Sequence, residues 1–316
     1  TAEMVIPFQT ILADPELGDW GINAERFIRR KNETIRWSTP RRDIRISSVA
    51  NADILGGFMN LDIGSGIDLK PFVRADIRDD GQGQTDFAAT AGLDLFWKID
   101  PSLTLALTIN NDFAETEVDQ RQINFGRFPL FFPEKRDFFL EDAGFFNFGG
   151  ISSSPTPFYS RRIGLSPQGA PEQILGGLKL TGSVGDVSVG LLDTMMTKGV
   201  EPVDRNYFAG RVLVNVLEQS SVGVIATQGN PLDERSNTLV GADFNYVTSD
   251  LEGGRTFKAS TFFQQTVTDG VAGIGSTAAG IKLLYPNDDW RASFGWFVIG
   301  ADYFPALGFA NRLGVH

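Results

Sequence analysis

Apolar and polar residues alternate along most of this chain. Leu103, Leu105, Leu107 and Ile109 fall on every second position, with Thr104, Ala106, Thr108 and Asn110 between them. Val240, Ala242, Phe244 and Tyr246 alternate with Gly241, Asp243 and Asn245, and Ala292, Phe294, Trp296 and Val298 alternate with Ser293, Gly295 and Phe297. A period of two points successive side chains to opposite faces, which is the signature of a strand. The pattern predicts strands over 43–50, 53–64, 67–79, 86–99, 102–111, 172–183, 186–198, 205–218, 220–228, 236–249, 255–268, 273–285 and 289–301. Turn residues separate them, as at Asn230-Pro231, Gly253-Gly254 and Asp269-Gly270. Gly182 and Gly185 bracket a connection short enough for a tight hairpin. No helix of three turns is predicted; residues 22–33 come closest, without holding a 3.6-residue period.

The strands are long. Several exceed the roughly 5–6 residues usual in globular sheets and match the roughly 9–11 that a tilted strand needs to cross a bilayer. One face is rich in Phe, Leu and Val. The other carries Gly, Ser, Thr, Asn and Asp with an occasional Arg or Lys, which suits the lumen of a barrel. Trp97, Tyr246, Tyr285, Trp290 and Tyr303 gather near strand ends, as interfacial aromatics do. The fold class expected is therefore all-β: an antiparallel transmembrane β-barrel of the outer-membrane type, with long strands, short turns and one long irregular segment. A half-buried sheet in a soluble sandwich, propeller or solenoid gives the same alternation and stands as the alternative. The odd strand count, against the even numbers of single-chain bacterial barrels, points to an incomplete barrel.

Composition removes other classes. The 316 residues carry 28 Lys and Arg against 39 Asp and Glu, a net charge of −11. The pI near 4.7 speaks against a nucleic-acid binder. There is no cysteine, so disulfides and thiolate chemistry are excluded. The one histidine is His316, which leaves no basis for a Ser-His-Asp triad or a histidine-rich zinc site. The sequence names no catalytic residue and no cofactor.

One stretch is specific. Residues 107–150 contain Asn111-Asp112-Phe113, then Glu117-Val118-Asp119, then Phe131-Phe132-Pro133-Glu134-Lys135-Arg136-Asp137-Phe138-Phe139-Leu140-Glu141. This resembles the DUF5916 family, the carbohydrate-binding family 9 domain-containing proteins, with Asn111 and Asp137 standing where the family pattern has Pro. Residues 19–42 look like that family's junction between an amino-terminal domain and a barrel, and 159–164 and 177–182 look like its following segment. The resemblance implies an outer-membrane β-barrel of a Gram-negative bacterium, preceded by a domain similar to a carbohydrate-binding module. On that basis 1–19 is expected to be the remnant of the amino-terminal domain, 20–42 the junction, and 43–316 the barrel, with 112–171 as a plug, cap or long loop.

That long segment mixes aromatics that need burial with charges that need pairing if buried. Phe131, Phe132, Glu134, Lys135, Arg136, Asp137, Phe138, Phe139 and Glu141 are the candidates for a gate or plug. Self-paired charges in a structural plug are weighed there against a constriction or ligand platform. Asp112, Glu115, Glu117 and Asp119 form an acidic set that could take calcium through oxygen ligands, although the spacing is not that of an EF-hand. Glu141-Asp142 is a poor acid pair for glycoside hydrolysis, because neighbours on a strand point apart. Arg29, Arg30, Lys31, Arg36, Arg41 and Arg42 form one basic cluster, expected to pair with Glu25, Glu33 and Asp43.

The function expected is a conduit or binding scaffold for a polar solute such as an oligosaccharide. A structural component of a larger envelope complex and a glycoside-active enzyme in a barrel mouth are the alternatives. The expected partners are outer-membrane lipid, a polysaccharide or oligosaccharide, and other envelope proteins, with no nucleic acid.

Overall fold

The computed structural model describes residues 3–6, 18–38, 46, 52–58, 66–79, 85–111, 128–151, 154–165, 172–198, 201–271, 273–287 and 289–315. Two small sheets come first. β1 (Asp19–Ile22) pairs with β4 (Asp53–Gly56), and β2 (Glu25–Ile28) pairs with β3 (Glu33–Arg36), all antiparallel. The Trp37 indole donates to Asp53 at 3.2 Å and so ties the second pair to the first. The stretch that came closest to a helix is thus a hairpin. Its turn residue Asn32 takes a left-handed φ of 51°, and its cations pair locally, Arg36 with Glu25 at 2.6 Å and Lys31 with Glu33 at 3.7 Å. Residues 41–43 of the basic cluster lie outside the described residues.

The main body is one antiparallel sheet of eleven strands in a meander, each paired with the next in sequence. In chain order they are β5 (Ile67–Asp79), β6 (Thr85–Asp100), β7 (Leu103–Ile109), β8 (Ile174–Val184), β9 (Val187–Lys198), β10 (Glu201–Val216), β11 (Ser220–Gln228), β12 (Asn237–Leu251), β13 (Arg255–Thr268), β14 (Thr277–Pro286) and β15 (Arg291–Ile299). The β8–β9 turn is Gly185-Asp186, with Gly185 at φ 58°, as a two-residue hairpin loop requires.

The described strands do not close into a barrel. β5 and β15 lie at the two edges, and beyond β15 the bridge from Ile299 to Val315 is the only pairing among the described residues. Two expected strands lie partly or almost wholly outside the described residues. Of 53–64, residues 59–64 are outside them, and 53–56 form a strand that pairs with β1. Of 43–50, only Ile46 lies among the described residues.

The two faces of the large sheet are inverted relative to a soluble protein. In β7 the leucines are the more exposed residues, while Thr104, Ala106 and Thr108 between them are buried. The register carries this across the sheet. Leu107 lies opposite Leu95 and Leu178, Leu180 opposite Leu191, Val212 opposite Val224, Val224 opposite Ala242, and Ile281 opposite Trp296. These side chains share one uncovered face, on which Val73 is 82% exposed, Val224 54% and Trp296 53%. The other face holds Lys179, Thr181, Thr194, Arg211, Thr227, Asp243, Gln264 and Thr266, all buried.

Residues 128–151, 154–165 and 301–311 cover that polar face. Phe138, Phe139, Phe146, Ile163 and Leu307 join Phe96, Leu192, Met196 and Tyr207 of the wall in one cluster. Phe148 and Tyr303 join Ile225, Leu239, Phe262 and Ile299 in a second. Rings sit over wall glycines. A Cβ on Gly177 would lie 3.1 Å from Phe138, one on Gly190 3.2 Å from Phe146, and one on Gly241 3.0 Å from Phe148. The absent side chains therefore make room for the covering rings.

Candidate functional site

The motif at 131–141 forms the middle of the covering segment. One buried ion pair, Glu134–Arg136, closes within the motif. The Glu134 carboxylate accepts Nε and Nη2 of Arg136 at 2.8 and 2.6 Å, in the fork geometry that suits guanidinium and carboxylate. It also accepts the backbone N–H groups of Lys135 and Arg136 at 2.9 and 3.0 Å and the Ser160 hydroxyl at 2.5 Å. Arg136 also donates to the carbonyls of Ile163 and Ser160, both at 2.7 Å, and lies 4.1 Å over the Phe139 ring. Burial raises the cost of ionising Glu134. The hydrogen bonds and charge of Arg136, with the Ser160 hydroxyl, outweigh it and hold the carboxyl down at about 2.

A single helical turn, α1 (Asp137–Leu140), follows. It buries Phe138 and Phe139 against the wall and leaves Asp137 and Leu140 exposed. Asp137 accepts Lys70 of β5 at 3.3 Å. Phe132 is held through its backbone: the Tyr159 hydroxyl donates to its carbonyl at 2.6 Å and accepts its N–H at 3.1 Å. Phe131 is 40% exposed, stacked on Tyr159 at 4.8 Å and edge-on to Phe309 at 5.2 Å. The expected burial of this ring is thus only partial.

Three wall side chains anchor the cover from below. The Lys179 ammonium donates to the carbonyls of Phe138 and Glu141, the latter at 2.5 Å. Thr181 donates to Asp142 at 2.8 Å. Asp243 accepts the Gly149 N–H at 2.9 Å while it pairs with Arg211 through bonds of 2.6 and 3.0 Å. The Arg211–Asp243 pair is almost wholly buried, and Arg211 lies 5.2 Å from the Phe148 ring centre. On the far side Gln264 donates to the Pro155 carbonyl at 3.2 Å, and Asn237 donates to the Phe304 carbonyl at 2.9 Å. Glu141 is half-buried. Burial lifts its carboxyl above the ordinary range, Asp142 adds to this, and Lys179 and Lys70 work against it.

The nine motif residues singled out in the sequence therefore lie in one continuous cover. Four acidic candidates, Asp112, Glu115, Glu117 and Asp119, lie outside the described residues. Among the described residues no group of three or more acidic or histidine side chains is placed to hold a metal. Sequence reasoning missed Lys179, Arg211 and Asp243. The available signal was their parity: each occupies a polar position of an alternating strand and faces inward.

Between the cover and the wall lies a cavity of about 180 Å³, lined by parts of the motif, the turn at 143–147, residues 158–160, Lys179 and Leu192.

A family model described as Domain of unknown function (DUF5916) matches residues 66–188, which include the motif, the matching part of the cover and strands β5 to β8. The match does not reach 19–42. No curated protein and no solved structure matches the chain.

Proposed function

We propose that the eleven-stranded sheet is membrane-spanning wall, of the kind found in Gram-negative outer-membrane barrels, and that residues 128–165 are its plug. The observation that carries this reading is the inverted polarity of the sheet. An uncovered face of Leu, Val, Ile, Phe and Trp spread over eleven strands is far larger than the apolar patches that soluble monomers expose. Lipid removes that cost, whereas water does not. Ten of the eleven strands have the length of about 9 residues or more that a bilayer asks of a tilted strand, and no helix among the described residues is long and apolar enough to cross one. In hydrocarbon every backbone group needs a partner, so β5 and β15 would pair there with further strands.

On this reading the chain is a conduit or binding scaffold for a polar solute such as an oligosaccharide, with selectivity set by the motif at 131–141. A specific observation also favours the second reading, a non-transporting component of an envelope complex: the polar face is occupied by the cover, which is tied to it by hydrogen bonds of Lys179, Thr181, Asp243 and Gln264 and by two apolar clusters.

Fluorescence in vesicles tests the membrane reading. Trp97 and Trp296 lie on the uncovered face, 40% and 53% exposed. Brominated acyl chains should quench both, as seen by comparing the single variants Trp97→Phe and Trp296→Phe with the parent chain. Emission indifferent to bromination would overturn the membrane reading. Planar-bilayer current then separates the two functions, since a silent protein whose current stays absent after the cover is loosened is no conduit.

A further inference from the structure

We propose that the cavity between the cover and the wall is a binding site for a small neutral aromatic molecule that carries a hydrogen-bond acceptor. This goes beyond the membrane reading and does not rest on it, because the cavity exists whichever medium bathes the uncovered face.

Shape and lining come first. The space is about 180 Å³. That is somewhat more than an apolar cavity of roughly 150 Å³ that stays dry and takes up benzene, so it suits one six-membered ring with one small substituent. Phe131, Phe139, Phe146, Phe158 and Tyr159 line it, and Leu192 comes from the wall. Offset and edge-on stacking favour a flat aromatic guest over an aliphatic one. Ala143 and Asn147 are exposed residues in the lining, so the site communicates with the surface.

Polarity sets the rest. Glu134 lines the cavity, but its oxygens are taken by Arg136 and Ser160. Lys179 is the exception. It lines the cavity at 2% exposure and donates to two backbone carbonyls. An ammonium has three donors, so one has no oxygen partner, and the ammonium lies 5.3 Å from the Phe138 ring centre. Among the described residues no carboxylate lies within salt-bridge distance of it. The acidic groups acting on it from further away are Asp142, Glu141 and Glu134. Those carboxyls would repel an anion, and the ammonium would repel a cation. A neutral acceptor such as a carbonyl or ether oxygen satisfies the free N–H without adding charge.

The test uses the full chain in detergent micelles and fluorine NMR with three probes: 4-fluoroacetophenone, fluorobenzene and 4-fluorobenzoate. Saturable binding is expected for 4-fluoroacetophenone, several-fold tighter than for either of the others. Ala143→Phe, a change at an exposed turn position, should fill the cavity and weaken that binding by about tenfold or more. Lys179→Met should bring 4-fluoroacetophenone and fluorobenzene to parity. If that variant does not fold, the probe comparison on the unmodified chain carries the same information. Absence of saturable binding, equal binding in Ala143→Phe, or fluorobenzene or 4-fluorobenzoate binding as tightly would each overturn the proposal. None of these outcomes alters the lipid quenching of Trp97 and Trp296, so the two proposals fail separately.

Discussion

Changing Glu134 to Gln keeps the shape of the side chain and removes the charge opposite a buried guanidinium. Arg136 is only 6% exposed, and a buried ion pair that loses one partner costs about 3–5 kcal/mol. The loss should appear as faster hydrogen exchange of the amides around α1, with the strands unaffected. Acid should act on the same pair. The Glu134 carboxyl is held at about 2 in the folded chain against 4.5 ordinarily, so the folded state binds fewer protons between these values. The stabilisation, about 3 kcal/mol by linkage, is complete above pH 4.5 and is lost as pH falls from there through 2. Proteolysis of the cover as a function of pH measures it. Asp243→Asn strands Arg211 in the same way and should lower the urea midpoint. Pairing it with Arg211→Met should recover part of the loss, because no buried charge is then left without its partner.

At the scale of elements, the depth of a charge on the uncovered face decides between lipid and water. Val224→Arg lies mid-strand in β11, and Gln228→Arg lies at its end on the same face. In a bilayer the first should cost about 2–4 kcal/mol and the second about 0–1, read as the folded fraction in lipid vesicles. In a soluble sheet both changes would be close to neutral. Alternation made these strands legible, and β13 was predicted to the residue, because a side-chain period of two survives any surrounding. The hairpin of β2 and β3 was not legible. Four-residue strands are too short to show a period, and the turn between them is a run of Arg, Lys and Asn with no Gly or Pro to mark it. In the site, the need of the motif's charges for partners could be read from the aromatics around them. That Glu134 would find Arg136 two residues on was open, and Ser160, Ile163 and Lys179 come from distant chain, which no local pattern encodes.

For the whole molecule, the cover is tied to the wall from β5 to β15 by Lys70, Lys179, Thr181, Asp243, Gln264 and the two aromatic clusters. If the sheet is a transmembrane wall, the unmodified chain should pass little current, and Asp243→Asn combined with Thr181→Val should raise the frequency of openings in a planar bilayer. The rings over Gly177, Gly190 and Gly241 have a consequence for assembly. Side chains on one face repeat every second residue, so a strand that slips by two keeps its polarity and passes any test of hydrophobicity. It does not keep its notches. A slip of two in β9 would bring Ser188 or Leu192 to where Phe146 now rests on Gly190, and the cover could not seat. The cover thereby works as a gauge of strand register, and a misaligned wall would announce itself by leaving residues 128–165 open to protease.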